Sequence, residues 1–190
     1  MVRQADHENR IARFSKLNRV AATFHNANPK HAPMTPIDLD SDEVLGFLES
    51  LGANEVKYIL VGGFAVAFHG LVRATYDLDL WIKDEEHNLT QFRKVLSDFG
   101  VKGLEEVRSL ELIPGFTTFS LGDTGFEIDP LKSLKAFGAF DFDACYRRAD
   151  EGHYKGISFK VLSRKDLLKE KETTNRPKDQ EDIEHLRKQD

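Results

Sequence analysis

The spacing of apolar residues changes several times along the chain, and each change marks a predicted element. Ile11, Phe14, Leu17, Val20, Ala21 and Phe24 recur at helical spacing and predict an amphipathic helix, followed by a loop rich in Asn, Pro and His up to Pro36. Asp40 to about Ala53 predicts a second helix, opened by Asp40 and Glu43 as a capping-box pair. Tyr58-Ile59-Leu60-Val61 is a short unbroken apolar run ended by Gly62-Gly63, the pattern of a strand buried on both faces. Phe64 to Phe68 predicts a short apolar helix that Gly70 stops. From Tyr76 to Ile82 the period becomes two, placing Leu78, Leu80 and Ile82 on one face and Asp77, Asp79 and Trp81 on the other.

The remainder follows the same logic. His87 to Phe99 predicts a helix. Phe116 to Leu121 and Phe126 to Asp129 are two short strand-like runs around the turn tetrad Gly122-Asp123-Thr124-Gly125. Asp141 to Arg148 reads as helix and Ile157 to Leu162 as strand, and two final helices split near Pro177. The expected class is α/β (α+β): a small mixed β-sheet flanked by helices. An N-terminal helical arm and linker would occupy residues 1–36, and the main domain residues 37–190, with C-terminal helices over 163–190.

Composition narrows the reading. At 190 residues, 40% of them hydrophobic, the chain is long enough for one domain with a real core. No apolar run reaches the length of a membrane span, and the charged N-terminus lacks the apolar stretch of a secretory leader, so a cytoplasmic location without membrane attachment is the expectation. The single cysteine, Cys145, forms no internal disulfide and is expected in or near the core. The formal net charge is −5, yet Arg3, Arg10, Arg13, Lys16, Arg19 and Lys30 outnumber Asp6 and Glu8 in the arm. The arm would pack on the domain, or bind RNA, a protein partner or a second copy. The acidic remainder argues against a processive polymerase but leaves room for a tRNA end or short RNA.

The candidate chemistry lies between Tyr58 and Asp129. A buried strand turning into a helix exposes unpaired N–H groups, and Gly62-Gly63 lets an anion approach them closely. Asp77 and Asp79 sit on one face of the next strand, with Cα atoms about 6 to 7 Å apart. Two carboxylates that close raise each other's pKa, and a cation between them reverses the interaction. Asp129 shares a face with Glu127 on a later strand and completes a three-carboxylate cage if that strand neighbours the Asp77 strand. Gly-Gly alone is equally a tight turn, and Asp-x-Asp alone a solvated edge; their order and spacing form the more specific signal. The chain has neither a phosphate loop ending in Gly-Lys-Ser/Thr nor a Rossmann glycine fingerprint. Arg73 falls in the loop before the carboxylate strand, and an arginine can grip phosphate with two N–H groups. Lys171, Arg176 and Lys178 cluster near the C-terminus; by charge alone they read as a solvated face balanced by Asp166, Glu170, Glu172 and Asp179. His69 reads as a helix-end packing residue, and Thr75 as a hydrogen-bonding neighbour of the site.

Val61-Gly62-Gly63, Asp77-Leu78-Asp79 and Ile128-Asp129 together resemble the nucleotidyltransferase superfamily that includes DNA polymerase β and the aminoglycoside and lincosamide nucleotidyltransferases. The wider stretches Leu60 to Gly70, Arg73 to Asp79, Lys171 to Asp179 and Asp182-Ile183 resemble small bacterial nucleotidyltransferases related to abortive-infection toxins. The resemblance runs from about residue 42 to the C-terminus. The interval from Gly63 to Asp77 is long for the superfamily and ordinary for this subgroup; the arm has no counterpart in it.

The resemblance implies a nucleotidyltransferase fold and a Mg²⁺-dependent transfer of a nucleoside monophosphate from a nucleoside triphosphate to a hydroxyl, with release of pyrophosphate. Two Mg²⁺ ions would be held by Asp77, Asp79 and Asp129. Asp129 would also help deprotonate the acceptor. Gly62, Gly63, Arg73, Lys171, Arg176 and Lys178 would bind the nucleotide. A toxin-like enzyme acting on tRNA, another RNA or protein, with an antitoxin as partner, is one implication. An antibiotic-type small-molecule transferase and a non-catalytic nucleotide- or partner-binding module are the alternatives.

Overall fold

The structure is a computed structural model that describes residues 2–31, 33–101, 104 and 118–188. Helix α1 (Val2–Asn26) leads through an extended linker to α2 (Asp42–Ala53). The core then runs β1 (Tyr58–Leu60), α3 (Gly62–Phe68), β2 (Asp77–Ile82), α4 (Glu86–Asp98), β3 (Phe119–Leu121), β4 (Phe126–Leu131), α5 (Phe142–Arg148), β5 (Asp150–Tyr154), β6 (Ile157–Val161), α6 (Arg164–Thr174) and α7 (Asp179–Arg187). It is a mixed α/β protein around one six-stranded sheet of order β3-β4-β2-β1-β6-β5. Strand β2 pairs antiparallel with β1 and parallel with β4, and β1 pairs parallel with β6. No helix among the described residues is long and apolar enough to cross a membrane.

The alternation of β2 decides which side of the sheet is core. Leu78 and Leu80 are fully buried, and Leu78 stands opposite Ile128 across the β2–β4 ladder. Phe47 of α2 packs edge-on against Phe126 of β4 and against Phe99, closing that side. The other face carries the aspartates until Trp81, which is buried beneath Phe137 and Phe142 and donates its indole N–H to the Lys132 carbonyl at 3.1 Å.

Three features differ from the sequence expectation. Strand β5 was not foreseen: Asp-Glu-Gly-His-Tyr has no apolar alternation. It pairs because Gly152, opposite Phe159, leaves space for that ring; a Cβ would lie 2.2 Å from it. The turn to β6 places Lys155 and Gly156 at φ 47° and 85°, the conformation of a tight hairpin. The expected capping box does not form. Ser41 precedes α2 without a side-chain cap, Asp40 receives the Tyr154 hydroxyl at 2.7 Å, and Glu43 reaches the β3–β4 turn, accepting the Asp123 N–H at 2.8 Å. Only part of the predicted apolar face of α1 is buried: Ile11 and Phe14 are inside, Ala21 is half-buried, and Leu17, Val20 and Phe24 are exposed, while the unpredicted Ala22 and the polar Ser15 and Asn18 are inside. The first part of the run from Phe116 lies outside the described residues; its strand is β3.

The arm's charges are partly consumed internally. Arg10 bonds Asp6 and the Phe68 carbonyl, and Arg19 grips Asp38 at 2.7 and 2.8 Å. Ile11 and Phe14 join the common core, Phe14 packing edge-on against Phe64 of α3. Cys145 is buried in α5, where its sulfur accepts a bond from Arg148.

Candidate functional site

The parallel pairing of β2 with β4 builds the acidic centre. Asp79 stands opposite Asp129 and Asp77 opposite Glu127, and in a parallel ladder facing partners project to the same side. Carboxylate oxygens of Asp77, Asp79 and Asp129 come within 4.8 Å of one another, the one grouping of three such ligand residues among the described residues. Burial pushes the Asp79 carboxyl up to about 7, with Asp77 and Asp129 adding repulsion. Burial also raises Asp129, a shift that the Thr118 hydroxyl bond opposes. Thr118 donates to Asp129 at 2.6 Å and Thr75 to Asp77 at 2.9 Å, so a hydroxyl orients each carboxylate.

The glycine pair is required by this centre. Gly62 has φ 58°, and a Cβ there would lie 1.7 Å from an Asp79 carboxylate oxygen. A Cβ on Gly63 would lie 2.6 Å from the Thr75 hydroxyl. The Gly63 N–H donates to the Asp79 carboxylate, so the start of α3 holds the carboxylate itself.

The cations are organised by two buried acids in α7. Lys171, 2% exposed, bonds Asp179 and Asp182, each at 3.0 Å. Arg73 grips Asp182 with two bonds of 2.8 and 3.0 Å, and Arg176 reaches Asp179 at 2.9 Å. Asp179, one of the acids expected to balance a solvated face, is fully buried. Both acids fall below the ordinary carboxylate range: burial opposes the shift, and the cations outweigh it. The turn that makes this possible has Asn175 in the left-handed conformation at φ 48°, ending α6 and folding α7 back.

One cavity of about 260 Å³ is lined by Gly62, Gly63, Arg73, Asp77, Asp79, Asp129, Lys171, Arg176 and Lys178, with Thr75 and Leu131 completing the wall. Every residue singled out in the sequence as a site candidate thus reaches one place. Three cations, Arg73, Lys171 and Arg176, engage two acids in the clasp, and Lys178 joins them on the cavity wall, so the basic side keeps a positive excess beside the three carboxylates. His69 lies elsewhere, at the end of α3, with its ring 2.8 Å from the Leu162 carbonyl. Sequence reasoning gave Asp182 no role beyond its place in the resemblance, and missed Asn18. Asp182 is one of four acids within a single short helix, with nothing local to distinguish it. Asn18 is a polar residue on the Ile11–Phe14 face of α1, and its role shows only through its distant partners Ile37 and Thr75.

No protein-family model matches the chain, and no curated protein matches it.

Proposed function

We propose that the chain is a divalent-metal-dependent nucleotidyltransferase of the polymerase-β-like fold. It would move a nucleoside monophosphate from a nucleoside triphosphate to a hydroxyl of an RNA, tRNA or protein acceptor. The convergence of three carboxylates and four cations in one glycine-floored cavity carries this reading. The donor set fits Mg²⁺: all three groups offer hard oxygens, and burial and mutual repulsion, which together raise Asp79, are what a divalent cation offsets. Bound there, the metal would neutralise charge on the phosphates and acidify the acceptor hydroxyl.

The protein's own residues then have distinct tasks. Arg176 and Lys178 meet the phosphate tail, and Arg73 is held towards it by Asp182. Lys171 is engaged by two carboxylates and balances the buried acids of the clasp rather than gripping phosphate directly. Thr75 and Thr118 fix the carboxylate orientations. The acceptor oxygen bonds to the α-phosphorus, the bond from that phosphorus to the bridging oxygen breaks, and pyrophosphate leaves. Asp129 accepts the hydroxyl proton. Positioning and charge neutralisation supply most of the acceleration in phosphoryl transfer.

The test is label transfer. Purified protein, Mg²⁺ and each α-labelled nucleoside triphosphate are mixed with total tRNA, with the protein alone, or with pooled aminoglycosides and lincosamides. An Asp79→Asn variant is the control. Label on RNA or protein, lost in the control, is expected. Label on the antibiotics would move the acceptor to small molecules. Absence of both label and metal–nucleotide binding would overturn the enzyme reading.

A further inference from the structure

A second cavity, of about 550 Å³, opens on the carboxylate-bearing side of the sheet, and its lining includes His25, His31, Met34, Thr35, Ser120 and Glu127. Glu127 joins it to the acidic centre: this exposed residue faces Asp77 across the ladder and lies two positions before Asp129 on the same side of β4. Ser120 faces Glu127 across the β3–β4 pair.

The walls of this cavity are held by specific bonds. Asn26 clasps both backbone groups of Met34 at 2.8 Å, and the Thr35 hydroxyl donates to the Thr124 carbonyl at 2.6 Å, tying the linker to the hairpin turn. The His25 and His31 rings lie 4.5 Å apart at 31°, and Tyr76, next to Asp77, has its ring 6.2 Å from that of His25. A side-chain nitrogen of Asn28 lies 3.2 Å from His31 Nε2 and sets that ring's position.

The two cavities differ in charge. All four site cations line the carboxylate cavity, whereas among the described residues no lysine or arginine lines this one. The phosphates of a bound nucleotide belong in the first, which leaves the second for an uncharged planar group. Aromatic faces stack on nucleobases of any sequence. A carboxylate is an acceptor only, so it pairs with an amino group and turns away a base edge that presents carbonyl oxygen.

We propose that this cavity binds a nucleobase bearing an exocyclic amino group, stacked on the His25–His31–Tyr76 rings with its amino group donating to Glu127. The base comes either from the nucleotide substrate or from the terminal residue of an RNA acceptor. The inference rests on the transferase reading, since it places the phosphates at the carboxylate centre.

The experiment uses the full chain with ¹³C-labelled histidine and Ca²⁺ in place of Mg²⁺ to prevent turnover. His25→Gln and His31→Gln assign the two ring signals. ATP, CTP and UTP are titrated, then trinucleotide RNAs ending in A, C or U, then an aminoglycoside. Shifts of both signals are expected with amino-bearing bases, with the uridine ligands about fivefold weaker. Glu127→Gln, which can both donate and accept, should erase that difference. Shifts with mononucleotides assign the base to the substrate; shifts with trinucleotides alone assign it to the acceptor. Metal-dependent ATP binding that Asp79→Asn abolishes, with both histidine signals unmoved by the mononucleotides and the trinucleotides alike, would overturn this inference and spare the transferase reading. Shifts from the aminoglycoside alone would also overturn it. Loss of all metal and nucleotide binding would sink both.

Discussion

The side-chain oxygen of Asn18 accepts the Thr75 backbone N–H at 3.1 Å, joining the N-terminal helix to the floor of the carboxylate centre. The same buried side chain donates to the Ile37 carbonyl at 2.9 Å, and Thr75 passes the connection on through its hydroxyl to Asp77. The arm is thereby a structural support of the site. Asn18→Ala leaves a buried N–H and a buried carbonyl unpaired, at a cost of about 2 kcal/mol. Urea denaturation should show that loss, and Mn²⁺ titration should show affinity reduced about tenfold, a change of ~1.4 kcal/mol. Unchanged Mn²⁺ affinity would confine Asn18 to a role in stability.

The glycine turn gives a sharper outcome. Gly62→Ala must place a methyl group where the Asp79 carboxylate sits, at a residue already in the left-handed region. Metal binding and label transfer should both fall to background, because Asp79 has to leave its position. Retained Mn²⁺ binding at wild-type affinity would show that Asp79 is not a ligand.

The raised Asp79 fixes the sign of a pH effect. Between about 4, the ordinary carboxylate value, and about 7 the metal-free native state holds a proton that the unfolded chain has released. Stability therefore falls as pH rises through that window. The chelated protein should melt at a higher temperature at pH 5 than at pH 7.5. Saturating Mg²⁺ should narrow the gap by stabilising the protein chiefly at the higher pH, where it does not compete with the proton. Scanning calorimetry at the two pH values, with and without metal, makes the comparison.

The clasp between α6 and α7 depends on Lys171. Lys171→Met leaves Asp179 and Asp182 buried with fewer cations, and breaking a buried pair in this way costs about 3 to 5 kcal/mol. The two acids act in the opposite sense to Asp79: their carboxyls are held low, so their contribution is full above the ordinary carboxylate value and is lost as pH falls below it. Hydrogen exchange should find α7 opening first in acid.

Tyr58 offers the reverse case. Its hydroxyl is buried, has no hydrogen-bond partner among the described residues, and is pushed up by burial and by Tyr146. Tyr58→Phe removes an unsatisfied group and should be neutral or stabilising by about 1 kcal/mol in urea. A loss of more than that would mean the hydroxyl is satisfied in solution.

Legibility followed the range of each interaction. The strand, glycine pair, short helix and Asp-x-Asp strand lie within one continuous stretch, and their patterns are set by near neighbours. Asp129 was readable because Phe126 and Ile128 fix the side to which it points. Strand β5 escaped because its pairing depends on the absent side chain of Gly152 and the ring of Phe159, a relation between two residues with no periodic trace. The capping-box expectation failed because Asp40 and Glu43 found distant partners, Tyr154 and the β3–β4 turn, that a local motif cannot foresee. Arg73, Lys171 and Arg176 were identifiable as candidate site cations, but the acids that aim them belong to α7.

The facing of Asp79 and Asp129 across two parallel strands makes the site a matter of parity. A single residue inserted between Phe126 and Ile128 would turn Asp129 into the core and bring Ile128 to the carboxylate-bearing face, while preserving the composition almost unchanged. Two inserted residues would restore the side but move the carboxylate about 7 Å along the strand. An insertion within the tetrad 122–125 leaves the count from Phe126 onward intact and would be felt first by Glu43, through its bonds to Asp123 and Thr124. Odd-length changes inside β4 should therefore abolish the site outright, whereas lengthening the preceding turn should only loosen its anchor.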